Sequence, residues 1–173
     1  VLIRERADTD LPRLEEILRA TYQRDGYPFR AESVSADWLV RHGDLAWVLV
    51  VDGVVVGHVA LCLPPGASPS VDGSRGAEIV RYFVASEARG TGGASRLLHH
   101  ALAEARERAG DAWLVVMPHN AQAVAAYLRA GLIPDGEDSW TDAEGVHHPL
   151  LRFRAPGSRA SADHESGSPR QVA

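Results

Sequence analysis

The chain has 173 residues, of which 45% are hydrophobic and 24% charged, with a formal net charge of −5. That is the length of one domain with a substantial core, and the acidic balance argues against bulk nucleic-acid binding. All 18 basic side chains are arginine and none is lysine, which excludes a phosphate loop of the G-x-x-x-x-G-K-S/T type, a Schiff-base lysine and a lysine general base.

The weakly alternating run Leu2 to Arg6 reads as a first strand. Thr9 or Asp10 is placed to cap a helix with Pro12 in its first turn. Leu11, Leu14, Ile17 and Leu18 then share one helical face until Gly26-Tyr27-Pro28 breaks the pattern. Ser33 or Ser35 starts a short second helix carrying Trp38 and Leu39. Ala46 to Val51 and Val54 to Leu63 read as strands joined by an Asp52-Gly53 hairpin turn. A punctuated stretch, Pro64 to Gly76, follows and reads as a long loop. Glu78 to Ala85 is a strand that runs into Arg89-Gly90-Thr91-Gly92-Gly93-Ala94 and a helix to about Ala109. Leu97, Leu98, Ala101, Leu102 and Ala105 form its inner face, Glu104 and Arg108 pair on its outer face, and Gly110 stops it. Trp113 to Met117 is a strand, and Asn120 caps a helix that ends at Gly131. Two strands, about Ile133 to Trp140 and Val146 to Arg154, close a hairpin around Asp142 to Gly145. Residues 1–154 are therefore expected to form the folded domain. Residues 155–173, rich in Pro, Gly and Ser and without aromatics, are expected to be a disordered tail.

The single cysteine, Cys62, forms no intrachain disulfide and reads as a small core residue. The opening residues turn charged within four positions, and no apolar run approaches the ~20 residues of a membrane span. A cytoplasmic location away from membranes is expected. His99-His100 and His147-His148 are adjacent pairs whose side chains diverge, so no metal site is expected.

The strand, glycine turn and helix around Arg89 carry the most chemistry. A glycine-rich turn feeding a helix N-terminus gathers backbone N–H groups at one point, and the helix dipole adds positive charge there. A phosphate or pyrophosphate would bind at such a place; a plain tight turn reads the same way. The dinucleotide fingerprint G-x-G-x-x-G fails, because Ser95 stands at the third glycine position.

Arg89-x-x-Gly92-x-Ala94 resembles the phosphate-binding signature of the GNAT acyltransferases, a Gln or Arg, two residues, Gly, one residue, then Gly or Ala. Asn120 to Leu132 is similar to that family's N-x-x-A-x-x-x-Y-x-x-x-G-F box, departing only at Leu132. The order of elements from Leu2 to Arg154 fits as well. The resemblance implies an α/β (α+β) fold, a mixed, largely antiparallel sheet of six to seven strands flanked by about four helices. It also implies acetyl-CoA as co-substrate and transfer of its acetyl group to an amine of a small molecule or peptide, with a homodimer allowed. The turn from Arg89 through Gly90, Thr91, Gly92, Gly93, Ala94 and Ser95 would cradle the pyrophosphate. The backbone of Tyr82, Phe83 and Val84, splayed by a bulge, would hold the acetyl and pantetheine portion, and Asn120 would hydrogen-bond the pantetheine arm. Tyr127 would protonate the departing thiolate, and Glu78 would deprotonate the amine, often through water. Each has a plain structural alternative: core packing for Tyr82, Phe83, Val84 and Tyr127, an N-cap for Asn120, a solvated strand end for Glu78. His58 and His147 or His148 are other candidate bases, and His119 reads as incidental. Tyr22, Tyr27, Phe29, Trp38, Trp140 and the Pro64 to Gly76 loop are expected at the acceptor site, with core packing an equal reading for Trp38.

Charge is compatible with this reading. Arg75 to Arg108 holds six arginines and four glutamates, a net of +2, and the tail is neutral, so the remainder carries −7. A non-catalytic CoA-binding module on the same fold is one alternative. A tRNA-acetylating toxin is another, against which the acidic remainder argues.

Overall fold

A computed structural model of the chain describes residues 1–41, 45–64, 76–142 and 144–157. In order, its elements are β1 (Leu2–Glu5), α1 (Leu11–Asp25), α2 (Ala36–Val40), β2 (Leu45–Val51), β3 (Val54–Cys62), β4 (Ala77–Val84), α3 (Gly93–Ala109), β5 (Ala112–Val116), α4 (Ala121–Arg129), β6 (Ile133–Thr141) and β7 (His147–Arg154). The strands form one sheet in the order β1-β2-β3-β4-β5-β7-β6. Neighbours are antiparallel except β4 and β5, which run parallel and are joined through α3. This is the expected mixed, largely antiparallel sheet, with seven strands and four helices.

The β2–β3 hairpin forms because Asp52 and Gly53 take positive φ, 49° and 79°, as a tight two-residue turn requires. Successive strand residues face opposite sides, and Val48 and Leu49 are both 0% exposed, so both faces of the sheet are covered. α3 lies on the Leu49 face. A Cβ added at Gly93 would come within 2.8 Å of Leu49 Cδ2, so only glycine lets the start of α3 sit this close. α1 packs on β3 and β4, and α2 packs on α1. The inner face of α3 is buried as expected, and Gly110 ends the helix in the left-handed conformation.

Asp10 departs from its expected role. It makes no cap hydrogen bond to α1. Its carboxylate instead accepts both Arg4 guanidinium nitrogens, at 2.7 and 2.8 Å, and the Ala7 N–H at 2.8 Å. Arg4 above all, with the Ala7 bond, holds that carboxyl below the usual range against the opposing effect of burial. Of the two serines offered as the start of α2, Ser35 is the cap, accepting from Trp38 N at 3.2 Å. Ala155, assigned by sequence to the tail, is buried, and its N–H donates to Ala112 O at 2.8 Å. The rest of the expected loop, 65–75, and of the tail, 158–173, lies outside the described residues. No helix among the described residues is long and apolar enough to cross a membrane.

Candidate active site

The parallel pair β4 and β5 stays in register only at Ala77–Ala112 and Glu78–Trp113. Beyond Glu78 the β5-facing backbone of β4 has no strand partner among the described residues. The cause is visible on the other side of β4. His58 pairs with Phe83 but Ala60 pairs with Val80, so β4 carries one extra residue there. Arg81 takes φ 51° at this bulge. The strands part, and a cleft of about 980 Å³ fills the gap.

Glu78, Tyr82, Phe83, Val84, Arg89, Gly90, Ala94, Asn120 and Tyr127 all line this cleft. Residues from β4, the glycine turn, α3 and α4 thus meet at one cleft. Thr91, Gly92, Gly93 and Ser95 lie off its wall. Thr91 Oγ1 donates to Ala88 O at 2.8 Å and braces the turn. Gly92, at φ 82°, precedes α3 and has no side chain to cap it; Thr91 Oγ1 accepts the Gly93 N–H at 3.3 Å, and the N–H groups of Ala94 and Ser95 are left to an external acceptor. Gly93 is buried on Leu49, and Ser95 is exposed.

Tyr127 is 7% exposed, packed on Tyr82 and Phe153 with ring centroids 6.2 and 5.9 Å away. Burial, then the neighbouring Tyr27 and Tyr82, push its phenol well above the ordinary 10.0, so it keeps its proton at neutral pH. Tyr82 donates its own hydroxyl to Ala94 O at 2.8 Å, tying β4 to the first turn of α3, and burial pushes it up to about 12. Asn120 caps α4, its Oδ1 accepting from Ala123 N at 3.2 Å. That bond uses the carbonyl end of the amide and leaves the NH2 end for a ligand. Arg89 spans the cleft. It donates to Asp25 Oδ2 at 2.5 Å and to Gln122 Oε1 at 3.0 Å, joining the end of α1 to the start of α4. Arg24 first, then Arg89, hold the Asp25 carboxyl below its usual range.

His58 does not belong to the site. It is 0% exposed, stacked on Phe83 at 5.4 Å, and donates Nδ1–H to Arg81 O at 2.8 Å. Burial lowers it to about 4, so it is a neutral core histidine. His147 and His148 are not on the cleft wall either. His147 contacts Thr141 at 2.9 Å, and His148 Nε2 meets Asp142 Oδ2 at 2.8 Å. His119, read as incidental, does line the cleft. At the expected acceptor end, Tyr27, Phe29 and Trp140 line the wall, whereas Trp38 is core at 1% exposure and Tyr22 stays off the wall.

The sequence reading passes over Arg81, Arg30 and Asp25, which also line the cleft, and places Cys62 in the core although it is partly buried on the cleft wall. Arg81 is 4% exposed, with Cζ 5.2 Å from the Trp38 ring centroid, and burial pulls its guanidinium down to about 10. An arginine inside the apolar run Ile79 to Val84 is the one local signal that marks it.

The model of the Acetyltransferase (GNAT) family matches residues 11–132. No curated protein sequence matches the chain. Among solved structures, ribosomal-protein-alanine N-acetyltransferase from Brucella melitensis is similar with TM-score 0.68 and 26% identity, over 90% of this chain and 99% of that one. The protein yncA from Salmonella typhimurium, determined with its cofactor acetyl-CoA, gives TM-score 0.65 at 19% identity over 96% and 97% of the two chains. NAA60 from Arabidopsis thaliana, in complex with a bisubstrate analogue, gives 0.65 at 23% over 89% and 96%. These last two likenesses show the fold alone.

Proposed function

Because the chain belongs to the GNAT acetyltransferase family, we propose that it transfers an acetyl group from acetyl-CoA to an amine of a small molecule or peptide by direct nucleophilic attack. The observation that carries this reading is the cleft itself, where the freed edge of β4, the first turn of α3 at Ala94 and the Tyr127 phenol meet. The residues present fit the co-substrate. The N–H groups of Ala94 and Ser95 at the start of α3, with Arg89 nearby, suit a pyrophosphate. The β5-facing backbone edge of Tyr82 to Val84 and the Asn120 amide suit the amide-bearing arm.

Acetyl-CoA supplies a thioester whose acyl carbon is open to attack and whose thiolate leaves readily. In this scheme Glu78 takes a proton from the ammonium, directly or through water, because only the neutral amine attacks. The N–C bond forms as the C–S bond breaks. Tyr127 gives its phenolic proton to the sulfur, the proton shed by the newly acylated nitrogen restores the phenol, and the one taken earlier by Glu78 passes to solvent. Tyr127 suits that role because burial keeps it protonated and no hydrogen bond within the described residues engages its hydroxyl. Tyr82 suits it less, its hydroxyl being committed to Ala94. A cytoplasmic setting is part of the proposal and rests on the single cysteine. The test is an amine panel followed by release of free CoA thiol, with Glu78→Gln and Tyr127→Phe alongside. Turnover that survives both substitutions would remove these roles.

A further inference from the structure

The two ends of the cleft differ in chemistry. One is the Arg89 turn with α4. The other is built by residues 26–33 and by the β6–β7 hairpin, and it is aromatic. Phe29 meets Trp140 edge-on at 5.4 Å and 83°. Both rings contact His148, at 4.6 Å for Phe29 and, stacked, at 4.9 Å for Trp140. The Arg30 guanidinium covers the Trp140 ring, Cζ 4.7 Å from its centroid. Eight large hydrophobic side chains are exposed among the described residues, and Phe29, 43% exposed, is the one that lines the cleft. Wetted phenyl surface inside a cleft gains by being covered, and a flat apolar ligand group covers it best.

Charge narrows the choice further. The cleft is lined by Asp25, Glu78 and Asp138 on one side of the balance and by Arg30, Arg81, Arg89 and Arg129 on the other, a formal sum of +1. The net acidity of the chain is therefore not gathered here. An acceptor with several ammonium groups would need a surplus of carboxylates to offset its desolvation. An acceptor with one needs only one.

We propose that the acceptor is a monoamine borne on an aromatic ring through a short alkyl chain. The ring lies against the exposed Phe29 phenyl, which the buried Trp140 backs edge-on, and the amine points inward toward Glu78 and Tyr127. This inference rests on the acetyl-transfer reading above and adds the substrate class to it.

Calorimetric titration of 2-phenylethylamine, spermidine and an alanyl peptide into the full chain, with and without CoA, tests it. The inference expects 2-phenylethylamine to bind at least tenfold more tightly than either of the others. Phe29→Ala should weaken that binding about tenfold and leave spermidine unchanged, and Phe29→Tyr should restore most of it. Cys62 is the sole cysteine and lines the same cleft, so 2-phenylethylamine should also slow its alkylation while spermidine does not. Equal or tighter binding of spermidine or the peptide overturns the inference, as does a Phe29→Ala variant that binds 2-phenylethylamine normally. Failure of CoA to bind counts against acetyl transfer instead, and the amine ranking on the unliganded protein still decides the substrate class.

Discussion

Arg89 is expected to meet the phosphates of the co-substrate, yet in this structure Asp25 already holds it at 2.5 Å. The Asp25 carboxylate is shared, since Arg24 also donates to it at 2.9 Å. A phosphate must therefore compete with Asp25 for the Arg89 guanidinium. Asp25→Asn removes the competing charge while keeping the side chain's shape. The Arg89 and Asp25 side chains are 33% and 21% exposed. A partly exposed pair of this kind is worth roughly 0.2–1 kcal/mol, and 1 kcal/mol is about fivefold in affinity. Asp25→Asn should thus tighten CoA binding by about 1.4- to fivefold at low salt. The gain should shrink toward 1 M salt, where the Debye length falls to about 3 Å. Calorimetric titration measures it, with pantetheine as comparator, since it lacks the phosphates and should bind both proteins alike. Unchanged or weaker CoA binding, or an equal gain for pantetheine, would refute the competition and make Asp25 a support for Arg89 instead.

Tyr127→Phe should lower kcat by ~100-fold or more, the usual yield of a positioned general acid. CoA affinity should change less than about twofold and Tm hardly at all, because the hydroxyl makes no hydrogen bond within the described residues. Steady-state thiol release with thermal melts checks this, and a fall in Tm or CoA affinity matching the fall in rate would give Tyr127 a packing role. Gly93→Ala should cost about 1–3 kcal/mol by overpacking against Leu49, and in a double-mutant cycle with Leu49→Ala the costs should be less than additive. Full additivity in urea melts would mean that α3 does not rest on Leu49. His58 titrates near 4 in the fold against about 6.5 when unfolded, so the unfolded chain binds the extra proton first. Stability should be intact above pH 6.5 and fall by about 3 kcal/mol as pH drops toward 4. His58→Gln should lose that particular slope, and an unchanged slope would place the titration elsewhere.

The parts of this fold legible in the sequence are those decided by neighbours along the chain. Asp52-Gly53 makes its turn because two adjacent residues accept positive φ, and Asn120 caps α4 because its amide reaches an N–H three residues on. Asp10 shows the limit of local reading. An aspartate before a helix is a good cap by type, but the arginine that claims it stands on β1, and pairing with Arg4 outweighs capping. His58 sits in a strand where an apolar residue would serve as well; only the bulged carbonyl of Arg81, 23 residues on, explains it. The candidate site divides the same way. The glycine turn and the Asn120 to Leu132 box are short motifs and legible as such. The Asp25–Arg89 contact, spanning 64 residues, and the meeting of Phe29 with Trp140 exist only after β4 and β5 part. Nothing in the local pattern of either segment announces its partner.

The central claim is that the parted strands form an acetyl-CoA site. Calorimetric titration of acetyl-CoA into the full chain tests it most directly. The account predicts saturable one-to-one binding that weakens at least tenfold in a Gly90→Asp variant, where a carboxylate enters at φ 76° beside the expected phosphates. No binding at millimolar acetyl-CoA, or binding indifferent to that charge, would contradict it.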